Sequence, residues 1–448
     1  MCRTGTPLQA ALPGDGRLLS SIPLSPENPK TPRERPYRGT MAGSDDDGQR
    51  RIAYRLILLF GIVAMLGDVV YEGARSVAGP FLLTLGASAF MVAFVAGFGE
   101  FAGYAIRIAS GYLADRSRQY WVFVIAGYGM IAAIPLLVLA GSWEVAAFLL
   151  IAERIGKAVR SPAKDAILSH ASAGIGRGWG FGIHEALDQI GAVAGPLLFV
   201  AALAAGGTYR GGFALLAVPF VLLLAALAFA WRSMPDPPEY ERSAGPNPAP
   251  AADDPGRRRM LVLYAVFTML TMAGFIVFPL LAYHYKALSV IPDAEIPAFY
   301  AIAMAIDAVV ALAAGKAYDR HGLTVLLAVP AIGIAIPLFA FSASFIPALL
   351  GAVLWGASMG LQETVLRAAV ADFTPAPRRG FAYGIFNTAY GAAWFAGSVV
   401  LGALYTLGTV YAAAFMILMQ AAAVPVLWGL VREERRATGL SGASRPGI

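Results

Sequence analysis

A set of ionisable side chains sits where the surrounding residues are almost wholly apolar. Asp68, Glu72 and Arg75 fall within residues 54–78, and Glu100 and Arg107 within 89–112. Glu153, Arg154 and Lys157 fall within 144–163, and Glu185 and Asp188 within 179–205. A charge in such surroundings is costly, so it marks a pathway or a relay. Asp68 and Glu72 are four apart and share a helix face. Two carboxylates held that close, away from water, cannot easily both be charged. A proton carrier needs that competition. Arg154 keeps its charge under ordinary conditions, so it would hold a nearby carboxylate ionised until substrate or a proton displaces it. The expected proton-coupling set is Asp68, Glu72, Glu100 and Asp188, with Arg154 as the switchable partner. The alternative is a fixed salt-bridge network that only braces the helices. Arg160 and Asp165 are expected to form a structural loop pair.

These residues need helices to position them. Only 14% of the 448 residues are charged and 58% are hydrophobic, whereas soluble domains carry about 25% charged residues. Stretches near 20 apolar residues cross a bilayer, and a backbone in lipid must satisfy its own hydrogen bonds, which selects helices. The expected fold is all-α, with twelve membrane-spanning helices in two six-helix bundles. The first bundle covers residues 51–232, with spans at 54–78, 89–112, 120–140, 144–163, 179–205 and 211–232. A polar linker, 233–258, leads to a second bundle over 259–432. Its spans are 259–285, 294–316, 323–341, 345–370, 380–406 and 409–431. Residues 1–50 and 433–448 read as polar tails, and Met41 as the true start, with 1–40 an upstream extension. A rise of about 1.5 Å per residue places Asp68, Glu100, Arg154 and Asp188 about 15 Å from the ends of their spans, near the middle of a hydrocarbon core about 30 Å thick.

The net charge of +6 does not point to nucleic acid here. Arginines alternate between loops, which orients a membrane protein. Both termini are expected in the cytoplasm, at the inner membrane. Arg210 and Lys286 are the exceptions on otherwise bare loops. The only cysteine is Cys2 and the four histidines are scattered, so a metal site and a disulfide framework are excluded from expectation. No cofactor is implied, and no nucleophile constellation suggests an enzyme.

Two short phrases recur about 200 residues apart, a spacing of paired repeats. Gly111-Tyr-Leu-Ala-Asp115-Arg116 returns as Gly315-Lys-Ala-Tyr-Asp319-Arg320. Arg177-Gly178-Trp-Gly-Phe-Gly182 returns as Arg379-Gly380-Phe-Ala-Tyr-Gly384. With six plus six spans and a polar linker, the chain from about 52 to 432 resembles the major facilitator superfamily. Its loop between spans 2 and 3 reads roughly GxxxDRxGRR, and Ser117 is taken as the place of the second glycine. The resemblance implies alternating access, with Gly111, Asp115, Arg116, Asp319 and Arg320 at a cytoplasmic gate. Glu153-Arg154-Ile-Gly156 is similar to the family's span-4 motif, tied to proton transfer. Gly191-Ala-Val-Ala-Gly195-Pro196 looks like the front half of an antiporter motif.

The second half is poorer in charge. Asp307 stands near its midplane, with Asn387, and large aromatics are plentiful. A substrate surface drawing on Arg75, Tyr283, Asp307, Trp355, Asn387, Tyr390 and Trp394 is expected, since ligand pockets are mostly apolar with a few polar groups. The expected protein is a monomeric, proton-coupled exporter of a small amphipathic or drug-like compound. The alternatives are a proton-coupled importer of a metabolite such as an organic acid, and a membrane sensor that moves nothing.

Overall fold

The computed structural model describes residues 43–171, 177–233, 255–373 and 379–437. The tail 1–40, most of the 233–258 linker and the tail after 437 lie outside the described residues, as do the side chains of Arg177, Gly178, Arg379 and Gly380. Everything below concerns the compact unit Asp47–Ile448.

Among the described residues the regular structure is helical. The helices are α1 (Gly43–Thr84), α2 (Ala89–Ser117), α3 (Tyr120–Gly129), α4 (Trp143–Ala171), α5 (Arg177–Ala204), α6 (Tyr209–Leu215) and α7 (Ala217–Ser233). They continue as α8 (Pro255–Ala273), α9 (Phe278–Ala287), α10 (Ile296–His321), α11 (Ala328–Ala340), α12 (Phe345–Phe373), α13 (Arg379–Leu407) and α14 (Thr409–Ala437). Among the described residues, ten stretches are long and apolar enough to cross a membrane. The expected twelve differ from these for two physical reasons. One stretch, Ile296–Ala340, is 45 residues long and holds both α10 and α11. The other is α4, whose 29 residues include Glu144, Glu153, Arg154, Lys157, Arg160, Lys164 and Asp165.

The apolar pattern is inverted relative to a soluble protein. Leu312, Val410, Leu139, Phe148 and Ile346 are each at least 70% exposed, an outward surface suited to lipid. Inside lie two buried apolar clusters. One is built wholly from residues 56–230. The other is built mainly from 264–431, with Ala89, Ala93, Tyr104 and Ala192 added. The halves nevertheless form one unit, because α2 runs along α13 and α5 along α10. Small residues permit the first of these seams: a Cβ on Gly97 would meet the Ser398 side chain at 2.6 Å, and one on Gly402 would meet the Ala93 Cβ at 2.8 Å. Close backbone approach of this kind is how membrane helices gain packing without a hydrophobic drive.

The expected span 259–285 is interrupted at residues 274–277, between α8 and α9. A broken ladder in lipid must find other donors. The Trp394 indole N–H donates to the Phe275 carbonyl at 3.0 Å, and the Trp355 indole N–H donates to the Ile276 carbonyl at 2.8 Å. Gln420 Nε2 adds a bond to the Thr271 carbonyl at 2.9 Å. The two basic exceptions on bare loops also have structural tasks. Arg210 donates to the Val138 and Ala140 carbonyls at 3.0 and 2.7 Å, where 3-10 turns end the third span. Lys286 is paired with Asp293.

The repeated Asp-Arg phrases each end a helix, α2 and α10. The capping residue has positive φ in both copies: Arg118, left-handed with φ 55° and ψ 17°, and at the same offset Gly322, with φ 58° and ψ −143°. Ser117 is therefore not the glycine position; Arg118 is. A non-glycine residue there costs roughly 1 kcal/mol. R118G is expected to raise stability by about that amount, read as a higher midpoint of thermal unfolding in detergent; an unchanged or lower midpoint would contradict the reading.

Candidate transport site

The charged residues of α1, α2 and α4 converge on a cavity of about 320 Å³ between the halves. Four positions on α1 follow the spacing i, i+3, i+4, i+7, namely Asp68, Tyr71, Glu72 and Arg75, and all four line it. That spacing is one face of a helix. Opposite them, α2 contributes Glu100 and Arg107, α4 contributes Arg154, Lys157 and Lys164, and α5 contributes Glu185 and Asp188. The second half adds Tyr300, Met304, Asp307, Trp355, Met359 and Glu363.

A chain of contacts forms the floor. Arg75 Nη2 lies 2.8 Å from Glu100 Oε1, and Arg154 Nη1 lies 3.6 Å from the same oxygen. Arg75 also reaches Glu72 at 3.7 Å. The Tyr300 hydroxyl, from the second half, donates to Glu72 Oε2. Arg154 Nε lies 3.4 Å from Glu153 Oε2. These side chains are about nine-tenths buried or more. Beside the floor, Lys157 Nζ donates to the Tyr71 hydroxyl at 2.8 Å. Asp68 is 7% exposed and shares the cavity lining with Asp188, Lys157 and Glu72. Close packing fixes it, since a Cβ on Gly191 of α5 would come within 2.9 Å of the Asp68 Cβ.

The two ends of the molecule differ. The near face is the one carrying Asp115. Toward it the cavity lining continues to Asp165 and Glu185, both exposed. Toward the opposite, far face the halves touch. A Cβ on Gly79 of α1 would overlap the Pro279 carbonyl oxygen of α9, and Lys286 Nζ lies 5.3 Å from the centre of the Tyr209 ring of α6.

A chain of this architecture, with an ionic floor under a cavity between paired halves, can be set beside known proteins. The family model described as Major Facilitator Superfamily matches residues 58–346 and 295–446. The chain belongs to the major facilitator superfamily. It is a secondary transporter in type. An uncharacterized protein of Mycobacterium tuberculosis (strain ATCC 25618 / H37Rv) is 46% identical over 356 residues, covering 79% of this chain and 87% of its own. An uncharacterized MFS-type transporter of Methanocaldococcus jannaschii is 30% identical over 155 residues, 34% of this chain and 38% of its own. Among solved structures, the nucleoside transporter NupG superposes with TM-score 0.65 at 13% identity, covering 85% of this chain and 99% of that one. A POT family transporter in complex with a thioalcohol-conjugated peptide gives TM-score 0.69 at 13% identity, covering 85% and 96%. A bacterial homolog of the human lysosomal transporter Spinster, inward-facing and occupied, gives 0.60 at 16%, covering 88% and 99%. At these identities the structures share the fold.

Within this superfamily member, all five residues of the expected proton-coupling set line the cavity. Arg75, expected on the substrate surface, is Glu100's closer partner, ahead of Arg154. Among the other expected substrate residues, Asp307 and Trp355 line the cavity. Tyr283 and Trp394 do not. Tyr283 packs edge-on against Tyr405 at 6.2 Å between centroids, and Trp394 is fully buried with its indole spent on the broken helix. Asn387 and Tyr390 line a small recess that shares Tyr104 and Glu363 with the main cavity. Arg160 turns away from the expected loop pair. It lies over the rings of Tyr128 and Tyr71, at 4.6 and 5.5 Å.

At the expected gate, Gly111 lets α2 approach Pro162 of α4, its would-be Cβ 3.4 Å from the Pro162 Cβ. Asp115 accepts from the Tyr120 hydroxyl at 3.4 Å, and Arg116 donates to the Tyr112 hydroxyl at 2.9 Å. Asp319 and Arg320 are exposed. Among the described residues none of these four makes an ion pair between the halves. Tyr71, Lys157 and Tyr300 are site residues that the sequence-based set left out.

Proposed function

We propose that this transporter exchanges protons for a small amphipathic cation and exports it. The observation that carries the reading is the shared Glu100. One buried carboxylate faces two guanidiniums, and the same chain of contacts reaches Tyr300 in the other half. Protonating a carboxylate in such a chain frees an arginine and alters a contact between halves, which is the coupling that exchange requires. The cavity lining holds eight carboxylates against five cationic side chains, and a cleft with an excess of one sign concentrates the opposite charge. Met304, Met359, Trp355 and Tyr300 offer an apolar wall beside it. A cation and a proton competing for the same carboxylate must be carried in turn, so an inward proton gradient drives the cation out. The protein acts as a monomer in the inner membrane, with both termini cytoplasmic, and the near face is cytoplasmic. The same arginines could hold an organic acid for import, but both already face Glu100.

The test is flux in reconstituted vesicles with an imposed pH gradient, screened over lipophilic and hydrophilic cations and over organic acids. Uptake of a cation against its gradient, driven by outward-directed proton release, is expected. Asp68→Asn should reduce that gradient-driven flux to background. A D68N protein that still builds the substrate gradient removes Asp68 from the coupling, and acid uptake in symport would replace the reading with the importer.

A further inference from the structure

We infer that Glu153 is a second proton-loading site, serving a compartment on the far side of the ionic floor; this deepens the proton-coupled reading above and rests on it. A smaller cavity of about 40 Å³ shares Tyr71, Arg75, Glu100 and Arg154 with the main one. Every helix places it on the other side of those residues. Along α1 the lining passes from Asp68 and Glu72 to Ala78 and Leu82. Along α2 it passes from Arg107 back to Val92, and along α4 from Lys164 back to Leu150. The small cavity thus lies toward the far face, and the floor is the partition between the two. Its volume has room for about three waters.

Glu153 lines only this smaller cavity. It is 2% exposed. Its Oε2 meets Arg154 at 3.4 Å, while its Oε1 has no hydrogen-bond partner among the described residues. A buried carboxylate oxygen left unsatisfied is costly, and a proton from water in the cavity would relieve it. The groups facing it are few. From α1 come Tyr71 and Arg75, from α2 Glu100, and from α4 itself Arg154. The turn after α3 and the start of α9 contribute Ile134, Val277 and Pro279, which carry no charge.

Arg154 links the compartments. It touches Glu153 at 3.4 Å on one side and Glu100 at 3.6 Å on the other, both looser than the 2.8 Å Arg75–Glu100 contact. A proton taken by Glu153 from the far side cancels its charge and leaves Arg154 to Glu100 alone. Loss of that proton draws Arg154 back. The guanidinium therefore reports the proton state of the far compartment to the floor of the near one, without a continuous path for protons between them.

The experiment uses the full chain in lipid vesicles and protons as the probe. Infrared difference spectra recorded on acidification should contain a carboxylic-acid carbonyl band that disappears in Glu153→Gln and persists in Asp68→Asn. Leu150→Phe, which fills the small cavity without removing a carboxylate, should slow the deuterium shift of that band at least tenfold. An E153Q spectrum identical to wild type overturns the inference. Should E153Q fail to fold, Leu150→Phe carries the test alone, and an unchanged exchange rate there overturns it. The parent reading stands or falls separately, on whether D68N loses gradient-driven flux.

Discussion

An E100Q variant will unfold at a markedly lower temperature than the wild type and will carry no gradient-driven flux. Among the described residues Glu100 is the one carboxylate within ion-pair distance of both Arg75 and Arg154, at 2.8 and 3.6 Å, with about nine-tenths of each side chain buried. Glutamine keeps the shape and a hydrogen-bonding oxygen but removes the charge. Two guanidiniums then confront each other in a low dielectric, with Glu72 at 3.7 Å from Arg75 and Glu153 at 3.4 Å from Arg154 as their remaining counterions. Removing one member of a buried ionic network costs about 3–5 kcal/mol, because the partner charge stays behind unpaired. The same logic gives the control. In R75Q/E100Q one of the two facing guanidiniums is gone too, Arg154 keeps Glu153, and part of the lost stability should return. Thermal unfolding of the four proteins of this cycle, in one detergent, measures the coupling. Should E100Q melt with the wild type, the floor is not held by charge and its role in coupling has to be abandoned.

The second large effect lies at the far face. Gly79 packs so closely on the Pro279 carbonyl that no side chain fits between them. These residues belong to different halves, so Gly79→Leu should cost closure at that end while leaving each half intact. Transport should stop, with the protein held open to the far side. In a Cys2→Ser background, Leu82→Cys reports the state, since Leu82 is 1% exposed and lines the small cavity. A membrane-impermeant maleimide should label it many times faster when Gly79→Leu is present. Gly356 supplies the contrast, because a Cβ there would overlap the Ala303 carbonyl within its own half. Gly356→Ala should lower stability without changing the labelling. Equal labelling with and without Gly79→Leu would mean that the far end does not close on this contact.

Much of the site was legible in the sequence because charge stands out against an apolar background. Asp68, Glu100, Arg154 and Asp188 could each be placed near mid-depth from helical rise alone, Glu72 could be put on the face of Asp68, and the cavity gathers all five. The sequence cannot show which helix lies across from which. Arg75 was therefore assigned to substrate rather than to Glu100, and Arg160 to Asp165 rather than to the rings of Tyr71 and Tyr128. Phenols gave a weaker signal. Tyr71 was readable in principle, three residues from Asp68 on a face already marked by charge. Tyr300 was not, since nothing local ties it to Glu72, which is 228 residues away. The aromatic residues misled for a different reason. A buried indole needs an acceptor for its N–H, and the sequence hides that the helix breaks at residues 274–277 and exposes carbonyls there. Trp394 goes to that break, and Trp355 divides its surface between the break and the cavity.

The break in the seventh span is not a loose joint. Both indoles that satisfy it come from α12 and α13, in the same half as α8 and α9. The ten-residue rod of α9 is thereby sewn to its own half and must travel with it as a lever arm. Pro279 sits at the root of that arm, beside the break and against Gly79. Prising Pro279 from Gly79 then requires the whole half to tilt, and the tilt carries Tyr300 with it, tugging on Glu72. Events at the far mouth and at the buried acids become two readings of one movement.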